Sequence, residues 1–180
     1  VFRTPPGADR PRPAVPTHDQ TLREFARPVA VLARPEPGWT ILLGREGTDG
    51  HLTDIDVQYA RQRTYRARVR TTRPAPANAR IRSFMSLDDI LGNTIANFTD
   101  EDDHDHPTTA GEAVLRLDGR EHPVRTAARS GFFAAVLRIG DQTVAVAAPE
   151  ELRDIALDLT WIQPGRSTEE FEHTCSNSSG

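Results

Sequence analysis

The 180-residue chain predicts an α+β domain. It reads as mostly antiparallel β-sheet in two β-rich halves of about eight or nine strands, with one principal helix and a short N-terminal helix. Three observations carry this. Apolar and polar residues alternate along much of the chain at the period of a half-buried strand. Glycine, proline and aspartate clusters interrupt those runs at short intervals. Only the stretch after Ser86 holds helical spacing for several turns.

Each element has its own signal. Thr17 and Gln20 resemble a capping box, and Leu22 and Phe25 follow at i,i+3 spacing, so a short helix should end near Arg27. Residues 29–33 are strand-like, Pro35, Glu36, Pro37 and Gly38 signal a turn, and residues 39–43 read as the returning strand. Residues 44–50, punctuated by Gly44, Gly47 and Gly50, read as a loop. In the next pair, Ile55, Val57 and Tyr59 alternate with Asp54, Asp56 and Gln58, while Ala67, Val69 and Thr71 alternate with Arg66, Arg68 and Arg70. Folding this pair around residues 60–64 sets Tyr59 opposite Tyr65. Asp54 then meets Arg70, Asp56 meets Arg68, and Gln58 meets Arg66.

Pro74, Pro76 and Asn78 break the pattern and divide the halves. Ser86 as N-cap with Asp89 at N3 opens the main helix, which carries Leu87, Ile90, Leu91, Thr94, Ile95 and Phe98. A β-meander follows. Asp118-Gly119 is the strongest hairpin turn and sets Arg116 opposite Glu121. Gly140-Asp141 turns the next hairpin, with Leu137 against Val144 and Ala135 against Val146. Residues 149–154 read as a short helical or turn segment, and Ile155, Leu157, Leu159 and Trp161 as a final strand.

The first 16 residues hold five prolines and three arginines and read as a disordered arm. Residues 163–180 read as a polar, disordered tail in which Cys175 is an incidental exposed thiol. Residues 17–162 then form a single α+β domain with halves 17–73 and 80–162. No apolar run suits a signal peptide or a transmembrane helix, so the expected setting is cytoplasmic, with no membrane partner.

Composition removes several chemistries. All 22 basic residues are arginine, which excludes a Schiff-base lysine, a Walker-A lysine and a kinase strand lysine. A single cysteine excludes an intramolecular disulfide and cysteine-rich zinc or iron–sulfur sites. No Gly-x-Ser-x-Gly elbow occurs. The loop at 44–50 lacks the lysine and following helix of a phosphate loop.

Charge is concentrated in two blocks within a net charge of −4. Eight arginines lie between Val57 and Leu87 with no acidic residue, and seven acidic residues lie from Asp88 to Asp105 with no arginine. Arg61, Arg63, Arg66 and Arg73 are the candidate partner-binding residues of the first block, beside Tyr59 and Tyr65. In the second, Asp102, His104 and His106 are a candidate site for zinc, manganese or nickel, which His51 or His122 would complete. A solvated acidic loop is the simpler reading, because neither an EF-hand nor a helical zinc motif is present.

The lysine-free, Arg/Ala/Pro/Asp-rich composition is joined by three runs, residues 38–43, residues 55–59 and residues 114–120, none of them a diagnostic motif. Together they resemble small uncharacterised proteins of high-GC actinobacteria. That resemblance implies no activity and no catalytic residue. The leading functional expectation is a non-enzymatic cytoplasmic protein-interaction or accessory domain, with an immunity- or antitoxin-like role as one form, and no cofactor. The alternatives are a metal-dependent hydrolase or metal-binding protein using residues 100–106, and a nucleic-acid binder using the arginine strand at 61–73. Overall acidity and nearby carboxylates weigh against the last.

Overall fold

A computed structural model of the chain describes residues 18–48, 50–74, 86–98 and 107–164. The elements run α1 (His18–Phe25), β1 (Val29–Leu32), β2 (Thr40–Thr48), β3 (His51–Arg61), β4 (Thr64–Thr72), α2 (Leu87–Phe98), β5 (Thr109–Leu117), β6 (Arg120–Arg129), β7 (Phe132–Ile139) and β8 (Gln142–Pro149). A 3-10 turn (Glu150–Leu152), α3 (Arg153–Ala156) and β9 (Asp158–Ile162) complete them.

All nine strands join one sheet in the order β1-β9-β5-β6-β7-β8-β4-β3-β2. Neighbours pair antiparallel except β5 and β9, which run parallel over Arg116–Asp158 and Leu117–Leu159, so the sheet is mixed. The expected division into two β-rich halves does not describe this sheet. β4 pairs β8 from Arg68–Ala147 to Thr72–Thr143, across the supposed boundary, and one core cluster takes residues from both sides.

The sheet curls. β1 and β2, expected as a hairpin, stand at opposite ends of the strand order. The Ala30 N–H nevertheless donates to Thr71 Oγ1 of β4 at 2.9 Å, and the Leu32 N–H donates to the Tyr59 hydroxyl of β3 at 2.9 Å. Side-chain oxygens on the inner face therefore occupy the buried donors on the edge of β1 that faces away from β9. The inner face carries the main core: Ile55, Val57, Tyr59, Val69, Phe133, Ala135, Val144, Val146, Leu115 and Leu159, covered by Leu22 and Phe25 of α1 and by Leu152 and Ala156.

A second, smaller cluster lies on the outer face. Ile90, Leu91 and Ile95 of α2 pack on Ala127, Ala134, Ala145 and Ala147. Alanines let the helix approach the sheet closely, and burial on both faces explains why β7 and β8 read as nearly continuous apolar runs. The capping box of α2 forms as expected: the Ser86 N–H donates to Asp89 Oδ2 at 3.1 Å, and the Asp89 N–H donates to Ser86 Oγ at 3.1 Å.

Local chemistry accounts for the remaining differences. β2 continues through Gly44 to Thr48 instead of ending in a loop. Thr53 is the extra residue of a bulge between β2 and β3, where a Cβ on Gly47 would stand 2.5 Å from the His51 carbonyl oxygen. The last strand is shorter than expected, because residues 153–156 turn as helix before β9. The later meander matches: Arg116 faces Glu121, Leu137 faces Val144, and Ala135 faces Val146.

Candidate interaction surface

The β3–β4 hairpin carries the arginine block, and its turn is tighter than expected. Arg61 pairs with Thr64, leaving Gln62 and Arg63 as the two turn residues at φ +49° and +67°. Positive φ at both positions is the type I′ pattern, which the hand of the strand twist favours. Tyr59 pairs with Ala67, not Tyr65, and Ala60 pairs with Tyr65, so Arg66 is the extra residue of a bulge. A bulge breaks strict alternation and re-aims the side chain it carries.

Below the bulge the register is displaced by two residues from the expected one, which preserves the faces. Asp56 lies opposite Arg70 and Asp54 opposite Thr72. The two expected ion pairs still form, now as diagonals. Arg68 Nε reaches both Asp56 carboxylate oxygens, at 2.8 and 2.7 Å, and Arg70 Nε reaches Asp54 Oδ1 at 3.1 Å. Thr72 Oγ1 and Thr53 Oγ1 also donate to Asp54, at 2.6 and 2.7 Å, and Arg70 bonds Glu46 of β2. The expected Gln58–Arg66 pair is replaced: Gln58 donates to Asp56 Oδ2 at 3.2 Å.

Asp54, Asp56 and Arg70 are buried, so this network is part of the fold. Burial disfavours the Arg70 cation, but the charges and hydrogen bonds of Asp54 and Glu46 outweigh it and hold its pKa above the ordinary arginine value. Gly44 lies opposite Asp56, where an added Cβ would stand 3.4 Å from the Asp56 Cβ.

Arg73, the fourth partner-binding candidate, also has contacts within the fold. Its Nη1 donates to the Phe25 carbonyl at 2.6 Å, and its guanidinium sits 5.4 Å from the Phe25 ring centroid, tying α1 to β4. Arg61 and Arg63 are exposed and Arg66 is half-buried. None of the three has a hydrogen-bond or ion-pair partner among the described residues. The six described arginines of the block thus separate into Arg68, Arg70 and Arg73, which contact other parts of the fold, and Arg61, Arg63 and Arg66, gathered at one hairpin end. The bulge at Arg66 has no sequence signal of its own.

Asp102, His104 and His106 lie outside the described residues, as do Arg80, Arg82 and Cys175. Of the proposed completing ligands, His51 opens β3 and His122 lies in β6, with β7, β8 and β4 between those strands. Among the described residues no group of three or more His, Cys, Asp or Glu side chains is placed to hold a metal ion. No helix among them is long and apolar enough to cross a membrane.

Fold and site together define a curled, mixed β-sheet domain with a charge-paired outer ladder and an arginine-bearing hairpin end. Comparison with family models, with curated proteins and with solved structures gives no match.

Proposed function

We propose that the chain is a non-enzymatic, cytoplasmic interaction domain that presents Arg61, Arg63 and Arg66 to an acidic surface of a partner protein. The separation of the arginine strand supports this reading. Three guanidinium groups are held by carboxylates, a carbonyl or a ring, whereas three at the turn have no partner among the described residues. Guanidinium forks match carboxylates bidentately, and a cluster at a protruding turn steers an anionic partner during encounter. An immunity- or antitoxin-like role is one form such a domain takes.

Fluorescence anisotropy with a labelled polyglutamate peptide and with a single-stranded oligonucleotide tests it. Polyglutamate should bind with strong salt dependence, and the Arg61→Ser, Arg63→Ser, Arg66→Ser triple variant should weaken it by tenfold or more. Arg116→Ser with Arg120→Ser should leave it unchanged. Tighter binding of the oligonucleotide would replace the protein partner with a nucleic acid, and an unchanged triple variant would remove the site.

A further inference from the structure

We infer that the N-terminal part of β5 is a docking edge for an extended peptide segment of another protein, which adds a strand there and anchors it with an aromatic side chain. This surface is separate from the arginine hairpin.

Hydrogen-bond direction fixes which groups are available. The Arg116 N–H donates to the Leu157 carbonyl at 2.7 Å and the Asp118 N–H to the Leu159 carbonyl at 3.0 Å, so even-numbered residues of β5 point toward β9. Within β5, β9 pairs only with Arg116 and Leu117. The N–H and C=O groups of Ala110, Glu112 and Val114 face the same way, and no strand pairs with them among the described residues. Ala110, Glu112 and Val114 are exposed, with Val114 at 54%.

The other edges differ. β1 has donors occupied by Thr71 and Tyr59, and β2 is paired across a bulge and carries Arg45 and Glu46 in ion pairs. β5 keeps an unbroken register with β6 from Thr109 to Leu117, so no bulge interrupts its edge. An unbulged edge with donors and acceptors that no neighbouring strand takes up is a template for strand addition.

The occupant follows from what lies beside the edge. A depression of about 360 Å³ is lined by Glu112, Ala113, Val114, Pro123, Val124 and Arg125. Register sets Glu112 opposite Arg125 and Val114 opposite Pro123, so these four share the outer face. An aromatic ring reaching over from an added strand would rest on Val114 and Pro123, with the Arg125 cation at its face and the Glu112 carboxylate open to a tyrosine hydroxyl.

A second copy of the chain fits less well. Its own edge offers Thr108, Ala110, Glu112 and Val114 on that face, none large enough to fill the depression. Such an edge, roughly 23 Å long, is also too short to bury by itself the ~1,200 Å² of a stable protein–protein interface. A peptide, held by main-chain bonds and one anchor, has no such requirement.

Panning a phage-displayed library of random heptapeptides on the full chain provides a probe, which is then synthesised and labelled. Leads should carry an aromatic residue within an alternating sequence. Methylating the backbone nitrogens that face β5 should weaken binding at least tenfold, and complex formation should slow hydrogen exchange at the amides of Ala110, Glu112 and Val114. Ala110→Pro and Glu112→Pro should abolish binding while keeping the circular dichroism of the wild type, because each removes a donor that faces away from β6. If either proline variant fails to fold, the methylated peptides carry the test. Absence of any lead, leads indifferent to methylation, or slowed exchange elsewhere would each overturn the inference. So would a wild-type dimer that Glu112→Pro makes monomeric, since a second copy would then be the occupant.

Discussion

At the scale of single residues, the buried Asp54–Arg70 pair concentrates the largest electrostatic stakes. Taking two charges out of water is costly, and here the loss is offset by two threonine hydroxyls on Asp54 and by Glu46 on Arg70. Asp54→Ala leaves the buried guanidinium of Arg70 without its buried anion, with only the exposed Glu46 carboxylate still bonded to it. Urea denaturation should show a loss of about 3–5 kcal/mol, and a loss below 1 kcal/mol would mean that solvent reaches the pair. Because Arg70 has its pKa raised, its contribution is complete below the ordinary arginine value and is lost only as pH rises through the higher folded value. Stability should therefore show no dependence on this arginine across the neutral range. Tyr59→Phe tests the edge of β1 in the same way: it leaves the Leu32 N–H buried without an acceptor, at a cost of about 1–3 kcal/mol in the same assay.

Elements show where sequence was informative and where it was silent. Asp118-Gly119 specified its hairpin to the residue, because both turn positions need positive φ and both residue types accept it. Gln62-Arg63 adopts the same turn without those residue types, so the arginine hairpin was legible in its faces and its ion pairs but not in its register. Non-glycine residues in the left-handed region carry strain, and here one of them is an arginine of the proposed surface. Replacing the turn with Gln62→Asn and Arg63→Gly should raise stability by about 1 kcal/mol while weakening polyglutamate binding. A stabilised variant with undiminished binding would detach Arg63 from the site. The contacts of Arg73 with the carbonyl and ring of Phe25 were not legible, because they come from a distant segment that no local pattern reveals. On the outer face, α2 rests on alanines, so Ala134→Leu should overpack that contact and lower stability by about 1–3 kcal/mol, measured by thermal unfolding.

For the whole molecule, element types follow from alternation and capping, whereas strand order rests on long-range pairs such as β4 with β8 and β1 with β9. Those pairs have no signature in a single sequence, and so a proline-rich stretch was read as a division between halves. The shared ladder and core predict that residues 18–74 and 86–164, expressed separately, each lack a dispersed NMR spectrum. Cooperative unfolding of either fragment alone would show that it folds independently.

The pairing of β1 with β9 also sets an order of events during synthesis. Val29 faces Ile162 and Leu32 faces Leu159, so an early strand waits for one of the last. At ~5–20 residues per second, Leu159 emerges from the ribosome roughly 6–25 s after Leu32. Through that interval the backbone of β1 has no ladder to join, and the nascent chain offers an apolar Val-Ala-Val-Leu segment to its surroundings. Closure of the curled sheet is thus a late step of biogenesis, and the interval before it is when a ribosome-associated chaperone has most to hold.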